Sequence, residues 1–398
     1  MSETKAKKKG ISKKTLIIII AAVLVVAVAV WAILTFAVPE KEAETIKIGH
    51  IAPMTGALAA YGTAVNNAVE LAISEINADG GLLGKQIELI TKDNQADPAE
   101  TVSAFNALLG EDVAAIIGAV RSACTSAITG LANDEKIVLI TATSTADAIT
   151  EEDNYVFRSC YKDSFQGRMV AAFCAQQGWT KVGILYTVGD AYSTGLRDSF
   201  LSAAEELGLE IVEEQSTSDI LAVDFSSQLT TLASADIDVL FAPYYYDTVG
   251  PKIIPQAREA GYDGPIVGAD GFDGTESVTV GDLSVYENVF FTNHYSPEDT
   301  SEIVQNFVSA YNAKYDPASL NALAALAYDA MNMLAQAIET ADSIDHDAIR
   351  EAMVGMHYVG VTGDMTLDET GTPAKSVSIL TFKVVDDALV QSFVATAQ

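Results

Sequence analysis

Cysteine is scarce: three in 398 residues, at positions 124, 160 and 174. They form no Cys-x-x-Cys pair and no Cys/His spacing, so neither a structural zinc site nor a dithiol redox centre is expected. The odd count leaves at least one thiol unpaired in a monomer. A Cys160–Cys174 bridge stays open for an exported chain, against the competing expectation of buried free thiols. Histidine is almost as rare, with four at 50, 294, 346 and 357 in no metal-ligating spacing. The motifs G-x-S-x-G, G-x-x-x-x-G-K-[ST] and H-E-x-x-H are absent, and no G-x-G-x-x-G follows the first strand. Catalysis by a nucleophile–base pair, phosphate cradling and dinucleotide binding therefore have no carrier, and neither a cofactor nor an enzyme activity is expected.

Positive charge is also lacking. There are 23 Lys and Arg against 54 Asp and Glu, a formal net charge of −31. Six lysines (5, 7, 8, 9, 13 and 14) and one acid, Glu3, fall in residues 1–38, which leaves 17 basic against 53 acidic residues, or −36, for the rest. A body that acidic repels nucleic acid and anionic lipid, so no nucleic-acid partner is expected.

Long apolar runs are missing apart from one. Residues 16–38 read LIIIIAAVLVVAVAVWAILTFAV, 23 residues without a charge. That length spans about 30 Å of hydrocarbon as a helix. Lysines precede it and Glu40, Glu42 and Glu44 follow, so residues 1–15 are expected in the cytoplasm and 39–398 outside. A cleaved signal peptide is the alternative, but its apolar core is usually only ~7–15 residues. An uncleaved anchor is the favoured reading.

Beyond a polar linker (39–45), strand and helix patterns alternate. Strands are expected at 47–52, 86–92, 113–118 and 137–142, with helices at 60–78, 97–109 and 122–133 between them. Asp97 and Pro98 are a helix start. A second run follows, with helices at 171–177, 194–207, 226–235 and 248–260. Its strands fall at 182–186, 209–213, 239–242, 266–268 and 289–292. Residues 301–354 are expected to be almost wholly helical, and 376–394 to form two strands around Asp386-Asp387. The pattern predicts an α/β fold of two doubly wound lobes. The late helices lack strands of their own, so the chain is expected to cross between lobes more than once.

Ligands of such sheets sit outside the carboxyl ends of strands. One lobe offers Ser122 at a helix start, Thr143 and Thr145 after a strand, and Tyr61 between Gly56 and Gly62. Ser122 reads equally as an ordinary helix cap; with a helix N-terminus beside it, it also suits a carboxylate. The other lobe offers Tyr192, Tyr244–Tyr246 and Asp270, which suit an ammonium group. A zwitterion bridging the lobes fits that division. Asp270 lies in GADGFDG (268–274), whose two aspartates do not match a calcium loop. No metal is expected there, and Asp273 is expected to cap the segment after it.

The stretch IKIGHIAPMTGALAAYGTAVNNAVELAISEINADGGLLGKQIELITKDNQADP, followed in order by IIGAVRSACTSA, LITATSTADAIT, YVFRSCYKDSFQG, DAYSTGLRDSF, VDFSSQLTTL, PQAREAG and VGADGFDG, resembles the branched-chain amino acid (Leu/Ile/Val) binding proteins of ABC transporters, which are type I periplasmic binding proteins. The resemblance runs from about residue 46 to 391. It implies a ligand cleft between lobes, one comprising 46–163 and 293–367 and the other 164–292 and 368–398. It implies Ser122, Thr143 and Thr145 at the ligand carboxylate, Tyr61, Tyr192 and Tyr246 around the ligand, and Asp270 at its ammonium. Glutamate also occurs in the family at the Asp270 position. Some members carry a disulfide between the positions of Ala96 and Arg121, which this chain cannot form. Arg121 adds a cation near the carboxylate site, and Leu323 stands where an aromatic often lines the pocket. Both departures weaken an assignment to leucine, while Ser122, Thr145 and Asp270 favour an amino acid over urea, amides or polyamines. The implied partners are an amino acid or a related small molecule and the permease subunits of an ABC importer. The alternatives are a ligand-sensing ectodomain for a signalling partner, or a binder of a short amide or urea-type ligand.

Overall fold

The computed structural model describes residues 45–151 and 154–397, together with positions 12–14, 23 and 26. The chain divides into two units, Met1–Glu44 and Thr45–Gln398. The apolar run 16–38 lies outside the described residues except for Val23 and Val26, which are helical and exposed. Among the described residues no helix is long and apolar enough to cross a membrane.

The second unit opens with β1 (Ile46–Ala52), α1 (Ala59–Ala78), β2 (Ile87–Asp93), α2 (Pro98–Leu109), β3 (Ala115–Ile117), α3 (Ser122–Asp134), β4 (Leu139–Thr141) and β5 (Val156–Arg158). The strands form one sheet in the order β2-β1-β3-β4-β5, parallel throughout. β3 and β4 are buried at every position, as apolar strands covered on both faces must be. α2 starts as expected: the Asp97 carboxylate accepts from the N–H groups of Ala99 and Glu100, with Pro98 in the first turn.

Next come α4 (Asp163–Gln177), β6 (Lys181–Thr187), α5 (Ala191–Leu207), β7 (Glu210–Thr217), α6 (Ser226–Ala233), β8 (Val239–Phe241), α7 (Ile254–Glu259), β9 (Ile266–Gly268) and β10 (Val289–Asn293). A single turn, Tyr246–Thr248, and a π-turn, Val249–Ile253, lead into α7. Pro251 and Pro255 lack the N–H groups a regular helix would use there, so the helix expected over 248–260 is broken. The chain then adds α8 (Glu302–Lys314), α9 (Ala322–Ala341), α10 (His346–Met353), β11 (His357–Gly360), β12 (Gly363–Leu367), β13 (Pro373–Ala374), β14 (Val377–Val385) and β15 (Ala388–Ala397). The second large sheet runs β15-β14-β10-β9-β8-β6-β7; β14 is antiparallel to both its neighbours, β10 and β15, and the other pairs are parallel. A small antiparallel sheet, β11-β12-β13, has no counterpart in the sequence reading.

Each large sheet, with its covering helices, is one lobe. Both contain the order 2-1-3-4-5, with a reversal beside their first strand (β1–β3 and β6–β8). Loops diverge at that reversal and leave a crevice. α8, α9 and α10 pack on the first lobe, with α9 against α1 and β4. The chain therefore crosses between lobes three times, at 159–162, 294–301 and 375–376.

Candidate functional site

The loops after β1, β3 and β4 face those after β6, β8 and β9. A narrow cleft lies between them, lined by Leu58, Tyr61, Val120, Arg121, Ser122, Thr143, Leu323, Tyr192, Tyr245, Asp270 and Gly271. Five of the seven expected residues, Tyr61, Ser122, Thr143, Tyr192 and Asp270, meet there.

The first wall is built to face an anion. Arg121 occupies the N-cap of α3, and no side chain caps that helix. Its N-terminal N–H groups stay available to a negative group, as does the positive end of the helix dipole. The Ser122 hydroxyl accepts from the N–H of Ala146 (3.3 Å), and Thr143 Oγ1 donates to the Val120 carbonyl (2.7 Å). The loop behind them hangs on Arg158, a fully buried guanidinium. Arg158 donates to the carbonyls of Ser144, Thr145 and Ala146 and to Thr150 Oγ1.

Thr145 departs from expectation. It is buried behind the cleft lining, next to the Asp163 carboxyl, whose pKa burial pushes well above the usual range. Successive residues of the loop point opposite ways: Thr143 toward the cleft, and Ser144 inward to Thr125 Oγ1 (2.6 Å). Tyr246 departs as well. Its ring packs on Tyr61 (centroids 4.4 Å apart), and its hydroxyl donates to the Ala57 carbonyl of the opposite lobe (3.2 Å). The cleft is lined instead by Tyr245, stacked on Tyr192 at 4.9 Å. The start of a helical turn at Tyr246 decides which of the consecutive tyrosines turns inward.

On the second wall, Tyr192 Oη donates to Asp270 Oδ1 (2.8 Å) and accepts from the N–H of Gly271 (2.8 Å). A Cβ on Gly271 would stand 2.5 Å from the Tyr244 carbonyl oxygen and 2.7 Å from Tyr192 Oη, so only glycine fits. The other Asp270 oxygen, Oδ2, lies 3.0 Å from His294 Nε2, a partner the sequence reading did not single out. His294 directly follows β10, so the strand-end rule that found Asp270 would also have found it.

Asp273 does not cap its own segment. Its Oδ2 accepts from the N–H of Ala322 (2.6 Å), at the start of α9 in the other lobe, and from Asn293 Nδ2 (2.9 Å). Its Oδ1 accepts from Gln391 Nε2, which also donates to Glu276 (2.9 Å). Burial raises both carboxyls, Glu276 to about 7.

Further bonds join the lobes. Tyr61 Oη donates to the carbonyls of Gly271 (2.7 Å) and Asp273 (3.0 Å). Arg121 pairs with Asp190, the N-cap of α5, at 2.7 Å, with side chains 14% and 1% exposed. Burial opposes the Arg121 charge, but Tyr245 and Asp190 outweigh it. Arg121 also donates to the Ala96 carbonyl (3.3 Å). The cysteines of this chain are three buried free thiols, so no Cys160–Cys174 bridge is present. Among the described residues no group of acids, histidines and cysteines could hold a metal ion.

The chain is similar to known binding proteins over most of its length. It is 30% identical over 332 residues to the Leu/Ile/Val-binding protein BraC3 of Rhizobium johnstonii, covering 82% of this chain and 88% of that protein. The leucine-binding protein LivK of Thermotoga maritima superposes with a TM-score of 0.79 at 32% identity, covering 88% of this chain and 98% of that one. LivJ of Streptococcus pneumoniae, a branched-chain amino acid transporter substrate-binding protein solved with isoleucine, gives 0.79 at 32% identity, covering 88% and 99%. Residues 45–387 match the periplasmic binding protein family. With its two doubly wound lobes and a cleft at their strand ends, the chain belongs to that family.

Proposed function

We propose that this protein is the extracytoplasmic substrate-binding component of an ABC importer, capturing an aliphatic amino acid between its lobes. The carrying observation is the polarity of the cleft. An uncapped helix N-terminus with Ser122 and Thr143 stands on one wall, and Asp270 held by Tyr192 on the other. Leu58, Val120 and Leu323 supply apolar surface between them. A carboxylate suits the first wall, an ammonium the second, and a short hydrocarbon side chain the remainder. The names of the relatives support the same ligand class, and the interlobe bonds of Tyr61, Tyr246 and Arg121 suit closure around it.

In this reading the lobe boundaries fall at the crossings 159–162, 294–301 and 375–376, rather than at 163–164, 292–293 and 367–368 as the resemblance implied. Residues 16–38 tether the protein, the permease subunits of the importer receive the ligand, and the protein carries out no chemistry on it. Calorimetry of the purified protein tests the proposal with L-leucine, L-isoleucine, 4-methylpentanoate and 3-methylbutylamine. The expected result is binding of the amino acids at least ~10-fold tighter than either compound carrying a single charged group. Equal binding of 4-methylpentanoate and leucine overturns it.

A further inference from the structure

The two carboxylates of GADGFDG are both gripped from one place, the end of β10. Asn293 Nδ2 donates to Asp273, and His294 Nε2 meets Asp270 Oδ2 at 3.0 Å. The His294 side chain is fully buried. Its ring stacks on Tyr161, with centroids 3.8 Å apart and planes 21° from parallel. Tyr161 lies in the first crossing between lobes and His294 in the second. In the third, Lys375 Nζ donates to the Ser159 carbonyl (3.3 Å) and to Thr362 Oγ1 (2.6 Å), which ties it back to the first.

Burial lowers the His294 pKa to about 4, so the imidazole is neutral at pH 7. A neutral imidazole has one N–H. Facing a carboxylate, which only accepts, that proton belongs on Nε2; Nδ1, without a hydrogen-bond partner among the described residues, is then the bare nitrogen. An imidazolium here would neutralise Asp270. A neutral donor orients the carboxylate and leaves its charge for a cation in the cleft. With Tyr192 on Oδ1 and His294 on Oδ2, the carboxylate plane is held from both sides.

We infer that His294 is a positioning residue for ammonium recognition, orienting Asp270 without neutralising it and joining that carboxylate to the interlobe crossings. The inference rests on the amino-acid reading above. It separates His294 from a merely structural residue, because its effect must pass through the ligand's ammonium group.

The test compares L-leucine with 4-methylpentanoate, which lacks the ammonium, by calorimetry of the full chain carrying His294→Phe or His294→Gln. Phenylalanine keeps the stack on Tyr161 and loses the donor; glutamine supplies an N–H at similar reach. The preference for leucine is expected to fall about 10-fold in His294→Phe and to return to within about 3-fold of wild type in His294→Gln. If His294→Phe fails to fold, His294→Asn, whose shorter amide falls short of Asp270, makes the same comparison. A preference unchanged in the donor-less variant overturns the inference, as does equal weakening of both compounds. Wild-type protein that binds neither compound overturns the amino-acid reading and this inference with it.

Discussion

Single side chains carry opposite duties in the cleft. Asp270 is buried with both oxygens engaged, so its charge is already oriented before a ligand arrives. A charge-assisted hydrogen bond in such a place contributes about 2–3 kcal/mol. Asp270→Ala is therefore expected to weaken leucine binding roughly 30- to 150-fold by calorimetry, with the circular dichroism spectrum unchanged. Tyr61 acts on closure rather than on the ligand's charge, because its hydroxyl bonds two carbonyls of the other lobe. Tyr61→Phe loses about 1 kcal/mol of that attachment. Stopped-flow measurement should show a dissociation rate about five-fold faster and an association rate within two-fold of wild type. His50 is buried, with Nδ1 3.0 Å from the Ile117 carbonyl and a pKa lowered by burial to about 4. The unfolded chain takes up a proton near pH 6.5 and the folded one only near pH 4. Stability from His50 is thus full above about 6.5 and lost as pH falls toward 4. Melting temperatures between pH 7 and pH 4 should fall less steeply for His50→Gln than for wild type.

Among the elements, the strands and the ends of the central helices were legible because burial on both faces leaves uninterrupted apolar runs. Asp97-Pro98 and the Gly178 and Gly208 helix ends announce themselves locally. Tyr245 was not legible, since a loop with no period gives no rule for which of three adjacent tyrosines turns inward. Thr145 was misplaced for the same reason. The partner of Asp273 was hidden by distance, as Ala322 lies 49 residues further along. Strand β5 (Val156–Arg158) ends on a charged residue, and β11 and β12 mix polar and apolar positions without a long apolar run, so neither stood out. The Asp273–Glu276–Gln391 contact that results is pH-sensitive. Glu276 titrates near 7 in the fold and near 4.5 when unfolded, so the stability it adds is present below about 4.5 and lost as pH rises through 7. Between pH 5 and pH 7 the melting temperature of Glu276→Gln should fall less than that of wild type, and above pH 8 the two slopes should agree; equal slopes between pH 5 and pH 7 would refute this assignment.

At the scale of the molecule, no covalent bond between side chains reinforces the described unit: its three cysteines are free and buried. The Arg121 guanidinium instead bonds Ala96 in its own lobe and Asp190 across the cleft. Leucine affinity and melting temperature are accordingly expected to be the same with and without a thiol reductant, as calorimetry in each buffer would show. The same guanidinium links two lobes, and a pair this buried is little screened, so Asp190→Asn should weaken leucine binding by a similar factor at low and high ionic strength, as calorimetry in each buffer would show.

The three crossings also set the order in which the protein can be made. The first sheet is complete at residue 158, yet α8, α9 and α10, which cover one of its faces, begin only at residue 302. At about 5–20 residues per second that face waits roughly 7–30 s for its cover during synthesis. The second lobe in turn lacks β14 and β15 until the last 22 residues. Neither half can be cut out as one contiguous fragment, and a nascent chain holds apolar surface of both sheets open until residues 302–397 have been made. Long-range closure of this kind slows folding, so refolding of the whole unit should be slow compared with that of a protein of similar size built from contiguous halves.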